Sequence, residues 1–351
     1  MLLLALGVAA CRSVPVAPPP VFPVTTLWRA GLDAAIDPPL GLDEHRVFIS
    51  TQDGSLRALS RHDGAEVWNA KGVGGALAAG PGTLIVRRPD GRVLSLQPRT
   101  GAVRWSAATG VRGSLPPVLD RDVVLVAGTG LAALDTASGR VLWSLPDAPP
   151  ATSLPVPSGA RFVVGEAGGA LRCRDRATGA PLWSFATKGD LLAPALVDEQ
   201  RRVYLGTTDR RLLRIGLDNG RQRWRWKVGA DVTAPAATAK DLALFAAYDA
   251  VLYAVRRGSG KLAWRAGLPS RPLSGPLLAG NTVLVACQES DLVGFNLKDG
   301  RASGSFRLPA EIRTPPQQDG GRLYVGLRDR SVVALALAGL ADPGPEAPRQ
   351  P

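Results

Sequence analysis

The chain has 351 residues, of which 45% are hydrophobic, and its 42 Lys and Arg against 30 Asp and Glu give a formal net charge of +12. This length would allow two or three domains, and the basic balance fits an Arg-rich solvated surface, an acidic partner or an anionic lipid. Nucleic-acid binding is not expected, because the arginines are scattered through predicted turns and strands, with no basic run and no interleaved aromatic surface.

The first segment is an apolar run over residues 2–10 that ends in small residues directly before Cys11. It is too short to span a bilayer but fits the core of a signal peptide, and since no basic residue precedes it, the true start lies upstream or the segment is atypical. Val8-Ala-Ala-Cys11 resembles the lipobox of bacterial lipoproteins, which implies a signal peptide over residues 1–10 and acylation of Cys11. An ordinary cleaved signal peptide with a chance cysteine is the alternative.

Residues 11–24 are rich in proline and predict an extended tether between the lipid anchor and the folded domain. Arg12, rather than Asp, follows the cysteine, which points by analogy to the outer membrane, with the protein facing the periplasm. At the other end, residues 342–351 have the composition of a disordered tail.

The body of the chain, residues 25–341, repeats a G-x-x-x-W frame about every 40 residues, and such a period is typical of repeat architectures. The tryptophans of this frame are Trp28 (without its glycine), Trp68, Trp105, Trp143, Trp183, Trp224 and Trp264. Only Trp226 falls outside the frame. A ring of this size buries a large area, so we interpret the seven frame tryptophans as structural residues that dock neighbouring repeats.

Each repeat begins with a strand in which apolar and polar residues alternate and which includes a small residue. A turn that ends in the frame glycine follows, then the strand that carries the frame tryptophan. A proline often opens the next repeat. The small residues include Ala58, Ser95, Ala133 and Cys173, and the opening prolines are Pro39, Pro117, Pro155, Pro194, Pro235, Pro276 and Pro315. Four short antiparallel strands per repeat, without a helical period, predict an all-β fold: an eight-bladed β-propeller of four-stranded blades. In the seventh blade Gly304 stands where the tryptophan is expected. The segment Thr25–Arg29 is predicted to supply the last strand of the eighth blade, so that strands from both termini close the ring.

The search for catalytic chemistry finds little. His45 and His62 lie in polar turns. Cys173 and Cys287 fall in different strands and are predicted to be packed free thiols. No spacing of Cys and His residues typical of a metal site is present. No calcium loop, phosphate loop or nucleophile elbow occurs. We therefore expect no enzymatic activity, no metal and no cofactor.

The small-residue strand followed by D/N-x-x-[ST]-G-x-x-x-W resembles the PQQ-type propeller repeat over residues 25–340. Two groups share this repeat. The quinoprotein alcohol dehydrogenases hold pyrroloquinoline quinone and calcium, and the resemblance would then imply adjacent cysteines, an acidic calcium-binding set and long insertions, which this sequence lacks. The lipid-anchored group, the BamB-type assembly lipoproteins of the outer membrane, has a lipobox, a short linker, eight compact blades and no cofactor, and it matches better.

Resemblance to this second group implies a partner, a β-barrel insertase of the BamA type, bound by loops entering blades four and five. The family's L-x-L-R motif is not reproduced in residues 147–155, and its D-x-D motif survives only as Asp190 within Lys188–Pro194, with Asp231 in a similar loop one blade on. The resemblance thus implies a non-catalytic scaffold for outer-membrane protein assembly, with Lys188, Asp190 and Asp231 as candidate partner-binding residues. The alternatives are a lipid-anchored propeller that binds another envelope protein, and a protein that binds a quinone or other small ligand.

Overall fold

The computed structural model describes residues 20–340, and they form eight four-stranded antiparallel sheets, which confirms the predicted eight-bladed propeller. Blades 1 to 4 consist of β2 (Ile36–Leu42), β3 (Arg46–Thr51), β4 (Leu56–Ser60) and β5 (Glu66–Ala70); β6 (Ala76–Gly80), β7 (Thr83–Arg87), β8 (Arg92–Leu96) and β9 (Val103–Ala108); β10 (Val118–Asp120), β11 (Val123–Ala127), β12 (Leu131–Asp135) and β13 (Val141–Leu145); and β14 (Val156–Ser158), β15 (Arg161–Glu166), β16 (Ala170–Asp175) and β17 (Pro181–Ala186).

Blades 5 to 8 consist of β18 (Leu196–Val197), β19 (Arg202–Thr207), β20 (Arg211–Gly216) and β21 (Gln222–Lys227); β22 (Ala237–Ala239), β23 (Leu242–Ala247), β24 (Val251–Arg256) and β25 (Leu262–Gly267); β26 (Leu277–Ala279), β27 (Thr282–Ala286), β28 (Asp291–Asn296) and β29 (Ala302–Arg307); and β30 (Gln317–Asp319), β31 (Arg322–Gly326), β32 (Ser331–Leu337) and β1 (Val24–Gly31). The helical structure of the described residues is limited to one 3-10 turn, Gln288–Ser290. Among residues 20–340 no helix has the length and apolar character needed to cross a membrane.

The ring closes as the sequence predicts, because the N-terminal strand β1 pairs antiparallel with the C-terminal strand β32 and becomes the outermost strand of blade 8. Trp28 lies opposite Ala334 in this pair. One expected detail differs. Pro39 lies inside β2, next to a shift of register between Asp37 and Gly41, whereas Pro117 and Pro155 each precede a first strand as expected.

The hydrophobic core is divided among the blade interfaces rather than gathered at one centre. Eight clusters of buried side chains each join two neighbouring sheets; Cys173 and Leu213, for example, meet between blades 4 and 5. Both faces of every sheet are therefore covered, which accounts for the runs of consecutive buried residues in the second and third strands.

Each frame tryptophan joins its own blade to the next one through two contacts. Its ring covers the frame glycine of the following blade: a Cβ added at Gly64 or Gly300 would lie 2.6 Å or 2.5 Å from the ring of Trp28 or Trp264. Its indole N–H donates to the carbonyl three residues before that glycine, with distances of 2.8–3.2 Å in all seven cases. In six of the seven cases a small residue lies directly across from the tryptophan, as Ala58 does from Trp68, and leaves room for the ring; in blade 5 Arg214 takes this position across from Trp224.

Blade 7 fills its tryptophan gap with a residue from the other end of the chain. Gly304 lies opposite Gly294, and a Cβ on either glycine would come within 2.5 Å of the ring of Phe22. Val21 is buried in the interface between blades 7 and 8, and its carbonyl accepts a hydrogen bond of 2.9 Å from the Ala338 amide. The sequence predicts a tether over residues 11–24, but Val21 and Phe22 pack as part of the propeller.

Arginines in the turn before the fourth strand reinforce three of the interfaces. Arg61, Arg176 and Arg257 occupy the position whose carbonyl receives the indole hydrogen bond, and each guanidinium pairs with a carboxylate at the end of the first strand of the preceding blade. The partners are Asp319 for Arg61, Asp120 and Asp122 for Arg176, and Asp198 and Glu199 for Arg257.

Two glycine substitutions separate the backbone requirement from the tryptophan contact. Gly300 and Gly72 both have φ of +72°, but only Gly300 has a ring within reach of an added Cβ. We expect Gly72→Ala to cost about 1 kcal/mol, since alanine disfavours this region, and Gly300→Ala to cost about 2 kcal/mol more because Trp264 must move. Urea unfolding measures both, and equal losses would show that the ring contact contributes nothing.

Candidate partner-binding surface

One face of the ring carries the loops that join the fourth strand of each blade to the first strand of the next, together with the turns between second and third strands; we call it the loop face. In blades 5 to 8 the first amide of the turn donates to a carbonyl of the preceding loop, at 2.8–3.1 Å: Thr208 to Asp190, Tyr248 to Asp231, Gln288 to Arg271 and Arg328 to Glu311. Because the backbone repeats while these side chains differ, any selectivity of this face resides in the side chains.

The structure places all three candidate residues on the loop face, in two successive loops. Lys188 and Asp190 are exposed in the loop between blades 4 and 5, and Asp231 is half-buried in the loop between blades 5 and 6. The Asp190 amide donates to Thr208 Oγ1 at 2.9 Å, and two residues further along the same turn the Arg210 carbonyl accepts from the Val228 amide at 2.9 Å. Within residues 20–340, neither Asp190 nor Asp231 uses its carboxylate in an ion pair or a hydrogen bond.

The loop between blades 3 and 4, residues 146–155, adjoins this region. Thr152 Oγ1 donates to the Leu191 carbonyl at 2.8 Å, so the two stretches that correspond to the family's motifs, residues 147–155 and 188–194, contact each other. This loop offers no charged side chain at the position equivalent to Asp190, because Pro150 occupies it and its carbonyl accepts from Ala167.

Two further carboxylates near the candidate residues are already engaged. Asp209 pairs with Arg211 at 3.0 Å, and Asp249 accepts from the Gly229 amide at 3.0 Å and from the Tyr253 hydroxyl at 2.6 Å. Burial and the hydrogen bond to Asp249 raise the pKa of Tyr253 to about 12, so this hydroxyl stays a donor at neutral pH. In these two loops and the turns beside them, the carboxylates of Asp190 and Asp231 are left available to a partner.

Two exposed apolar side chains, Leu192 and Tyr248, lie in the same part of the loop face as Asp190 and Asp231. The sequence alone did not predict them. Leu192 is 52% exposed and Tyr248 is 39% exposed, whereas the other large exposed hydrophobic residues lie on the outermost strands. Arg271 lies over the Tyr248 ring at 5.8 Å. Leu192 and Tyr248 stand in or directly beside the two loops that carry Asp190 and Asp231, so apolar and acidic groups are available together.

This arrangement suits recognition rather than catalysis. Asp190 and Asp231 can accept hydrogen bonds from a cationic or amide-bearing partner, and Leu192 and Tyr248 can bury apolar area, the combination found in protein interfaces. Lys188, which the sequence grouped with the two aspartates, adds one cation at the edge of this surface.

The described residues do not fit the calcium–quinone site of the dehydrogenase group. Among residues 20–340, no three His, Cys, Asp or Glu side chains are grouped to hold a metal ion. Cys173 lies in β16 of blade 4 and Cys287 follows β27 of blade 7, so they cannot supply the adjacent cysteines of that group. That the protein works without a cofactor stays a prediction.

Both propeller cysteines are buried free thiols, and His45 and His62 are exposed in turns. Burial raises the pKa of Cys173 and of Cys287 to about 11, which keeps both thiols protonated at neutral pH. We expect Cys11→Ser protein at pH 8 to react with a thiol reagent only after denaturation; rapid labelling of the native protein would contradict the buried positions. Cys11 itself lies outside the described residues.

The eight four-stranded blades and the repeated G-x-x-x-W frame define the class of this protein: it is an eight-bladed propeller built of PQQ-type repeats. The family described as outer membrane protein assembly factor BamB matches residues 25–153, 128–247 and 248–340. The chain therefore belongs to the BamB family.

Individual relatives agree with this assignment. Outer membrane protein assembly factor BamB of Burkholderia pseudomallei (strain K96243) is 25% identical over 297 residues, which cover 77% of this chain and 76% of that protein. The crystal structure of BamB from Moraxella catarrhalis has a TM-score of 0.73 at 19% identity, over 90% of this chain and 98% of that one. Quinohemoprotein alcohol dehydrogenase from Comamonas testosteroni shares the fold, with a TM-score of 0.71 at 13% identity, over 92% of this chain and 78% of that one.

Proposed function

We propose that this protein is a non-catalytic, lipid-anchored accessory of outer-membrane β-barrel assembly, which faces the periplasm and binds an insertase of the BamA type. The observation that carries the proposal is the family match, which extends over nearly all of the described propeller. The loop face between blades 4 and 6 supports it, because Asp190, Asp231, Leu192 and Tyr248 give this sector the acidic and apolar groups that a partner needs.

The insertase contact is tested by co-purification from detergent-solubilised envelopes. Leu192→Ser combined with Tyr248→Ser removes the apolar side chains of the loop face, and we expect recovery of the insertase to fall about ten-fold or more, as for loss of interface hot spots. Asp190→Lys with Asp231→Lys tests the acidic groups in the same assay. Lys188→Ala, at the edge, is expected to have a smaller effect.

A matched control uses exposed apolar residues of the outermost strands. Leu182 and Leu142 are 47% and 38% exposed, close to the values of Leu192 and Tyr248, and their double serine variant should retain the insertase. If the two double variants bind equally well, the loop face is not the contact. If the unaltered protein recovers no insertase and its deletion leaves outer-membrane protein levels normal, the assembly function itself is refuted, and a different envelope partner becomes the explanation.

The membrane anchor is tested at Cys11. We expect palmitate labelling of the unaltered protein, and Cys11→Ser should abolish it and release an unprocessed or soluble chain. Unchanged labelling of the Cys11→Ser variant would refute the lipoprotein assignment.

A further inference from the structure

The outermost strand of blade 5 carries an unusual row of cations. Arg223, Arg225 and Lys227 are exposed at alternate positions of β21, and Arg221 continues the row one step before the strand. We call these four residues the basic edge. Each of the other seven outermost strands contains at most one Lys or Arg. The sequence-based view of the arginines as scattered overlooked this row.

Within the described residues, no carboxylate neutralises the basic edge. None of its four side chains forms an ion pair or a hydrogen bond. Two acids close to the row in sequence or register are already used: Asp218 pairs with Arg201 and Arg161, and Asp209 pairs with Arg211, which is the register partner of Lys227. The row is therefore free to meet an anionic partner.

Trp226, the tryptophan outside the repeat frame, belongs to the same strand. Its ring is half-buried against Tyr253, at 5.8 Å and 75°. All seven frame tryptophans donate their indole N–H to a backbone carbonyl, but within residues 20–340 the N–H of Trp226 has no acceptor. Because successive side chains of a strand point to opposite faces, Trp226 faces blade 6, whereas Arg225 and Lys227 on either side of it face the other way.

Protection of an open sheet edge does not account for the row. Charged residues on edge strands do prevent aggregation, but β13 and β17 are equally open edges and contain no charged residue. If the fold required such protection, those strands would need it as well.

We propose that the basic edge is a docking surface for an anionic phospholipid membrane. The strand lies at the rim of the ring, where Arg225 and Lys227, about 7 Å apart along β21, can meet a plane of headgroups, with Arg223 and Arg221 at and before the bulge opposite Arg214 and Ile215. Four cations match several lipid phosphates at once. The surface lies on the rim rather than on the loop face, so the membrane contact leaves Leu192 and Tyr248 open to a protein partner.

The test is sedimentation with vesicles, using the full chain with Cys11→Ser so that acylation does not contribute. Vesicles of equal parts phosphatidylglycerol and phosphatidylethanolamine are compared with phosphatidylcholine vesicles. We expect binding to the anionic vesicles that weakens with added salt. Arg221→Gln, Arg223→Gln, Arg225→Gln and Lys227→Gln together should weaken it at least about ten-fold, since each cation near an anionic surface contributes several-fold.

The matched control removes four exposed cations from other blades, with the same change in net charge: Arg92→Gln, Arg140→Gln, Arg301→Gln and Arg307→Gln. It should bind anionic vesicles within about two-fold of the parent, and both variants should melt as the parent does. Equal losses in the two variants, equal binding to phosphatidylcholine, or tighter binding to a DNA duplex than to the vesicles would each overturn the proposal. The insertase test alters different residues, on the loop face, so this test fails or succeeds separately from the proposed function.

Discussion

Asp198→Ala is expected to lower the free energy of unfolding by about 3–5 kcal/mol, because it leaves buried guanidinium groups without their counter-charge. The Asp198 side chain is fully buried and pairs with Arg202 at 2.7 Å and with Arg257. Tyr204 donates its hydroxyl to the same carboxylate at 3.0 Å. The cluster connects blade 5 to the turn of blade 6, so its loss loosens an interface rather than one strand.

An exposed ion pair gives the control. Asp218 is 61% exposed and pairs with Arg201, and Asp218→Ala should cost about 1 kcal/mol or less. Denaturant unfolding of the two variants measures the difference. Similar losses in both would show that burial of Asp198 has no special role.

The dependence of stability on acidic pH should also report on the ion pairs of Asp198. Burial acts to raise the pKa of Asp198, but hydrogen bonds from the Arg202 amide and from the Arg257 and Arg202 side chains outweigh it, and the pKa lies below its usual value. A lowered pKa in the folded state gives stability that is present above the unfolded pKa and lost as pH falls through the folded one. Asp198→Asn should therefore flatten the acid limb of stability against pH, and an unchanged limb would contradict the assignment.

Phe22→Ala should cost about 3 kcal/mol, the usual loss for a large aromatic side chain packed against a core. Its ring fills the space over Gly294 and Gly304 that no residue of blade 7 occupies. The interface between blades 7 and 8 would then have neither a tryptophan nor a substitute, and thermal unfolding followed by circular dichroism measures the loss.

Thr25→Ala is the matched control, since Thr25 is exposed on the same N-terminal segment. It should change stability by less than about 0.5 kcal/mol. If the Phe22→Ala variant unfolds at the same temperature as the Thr25→Ala variant, the Phe22 ring is not a structural replacement for the missing tryptophan.

The fold could be predicted from the sequence because one interaction repeats. The frame glycine and the tryptophan meet in seven interfaces, and a small residue lies across from the tryptophan in six of them, so a local pattern reports a tertiary contact. Phe22 escaped prediction because its contact is made once, between residues far apart in the chain, with no spacing to reveal it.

The candidate surface was predictable only in part. Asp190 and Asp231 stand at a fixed offset from a loop proline, which the sequence shows, but the exposure of Leu192 and Tyr248 depends on how neighbouring loops stack. The basic edge was overlooked for a similar reason. Arg223, Arg225 and Lys227 are recognised as a row of exposed cations only once the strand is known to be an outermost one.

Closure of the ring by β1 and β32 also dictates the order of events when the chain folds. Arg29 and its partner Ser331 are separated by 302 residues, so β1 must wait for β32, which follows all the other strands along the chain. Closing so long a loop carries an entropic cost that local contacts do not repay. We therefore expect the first seven blades to assemble as each is completed and the eighth to form last. Until then the N-terminal strand and Phe22 remain available to other chains, so the period before closure is when this protein is most exposed to misassembly.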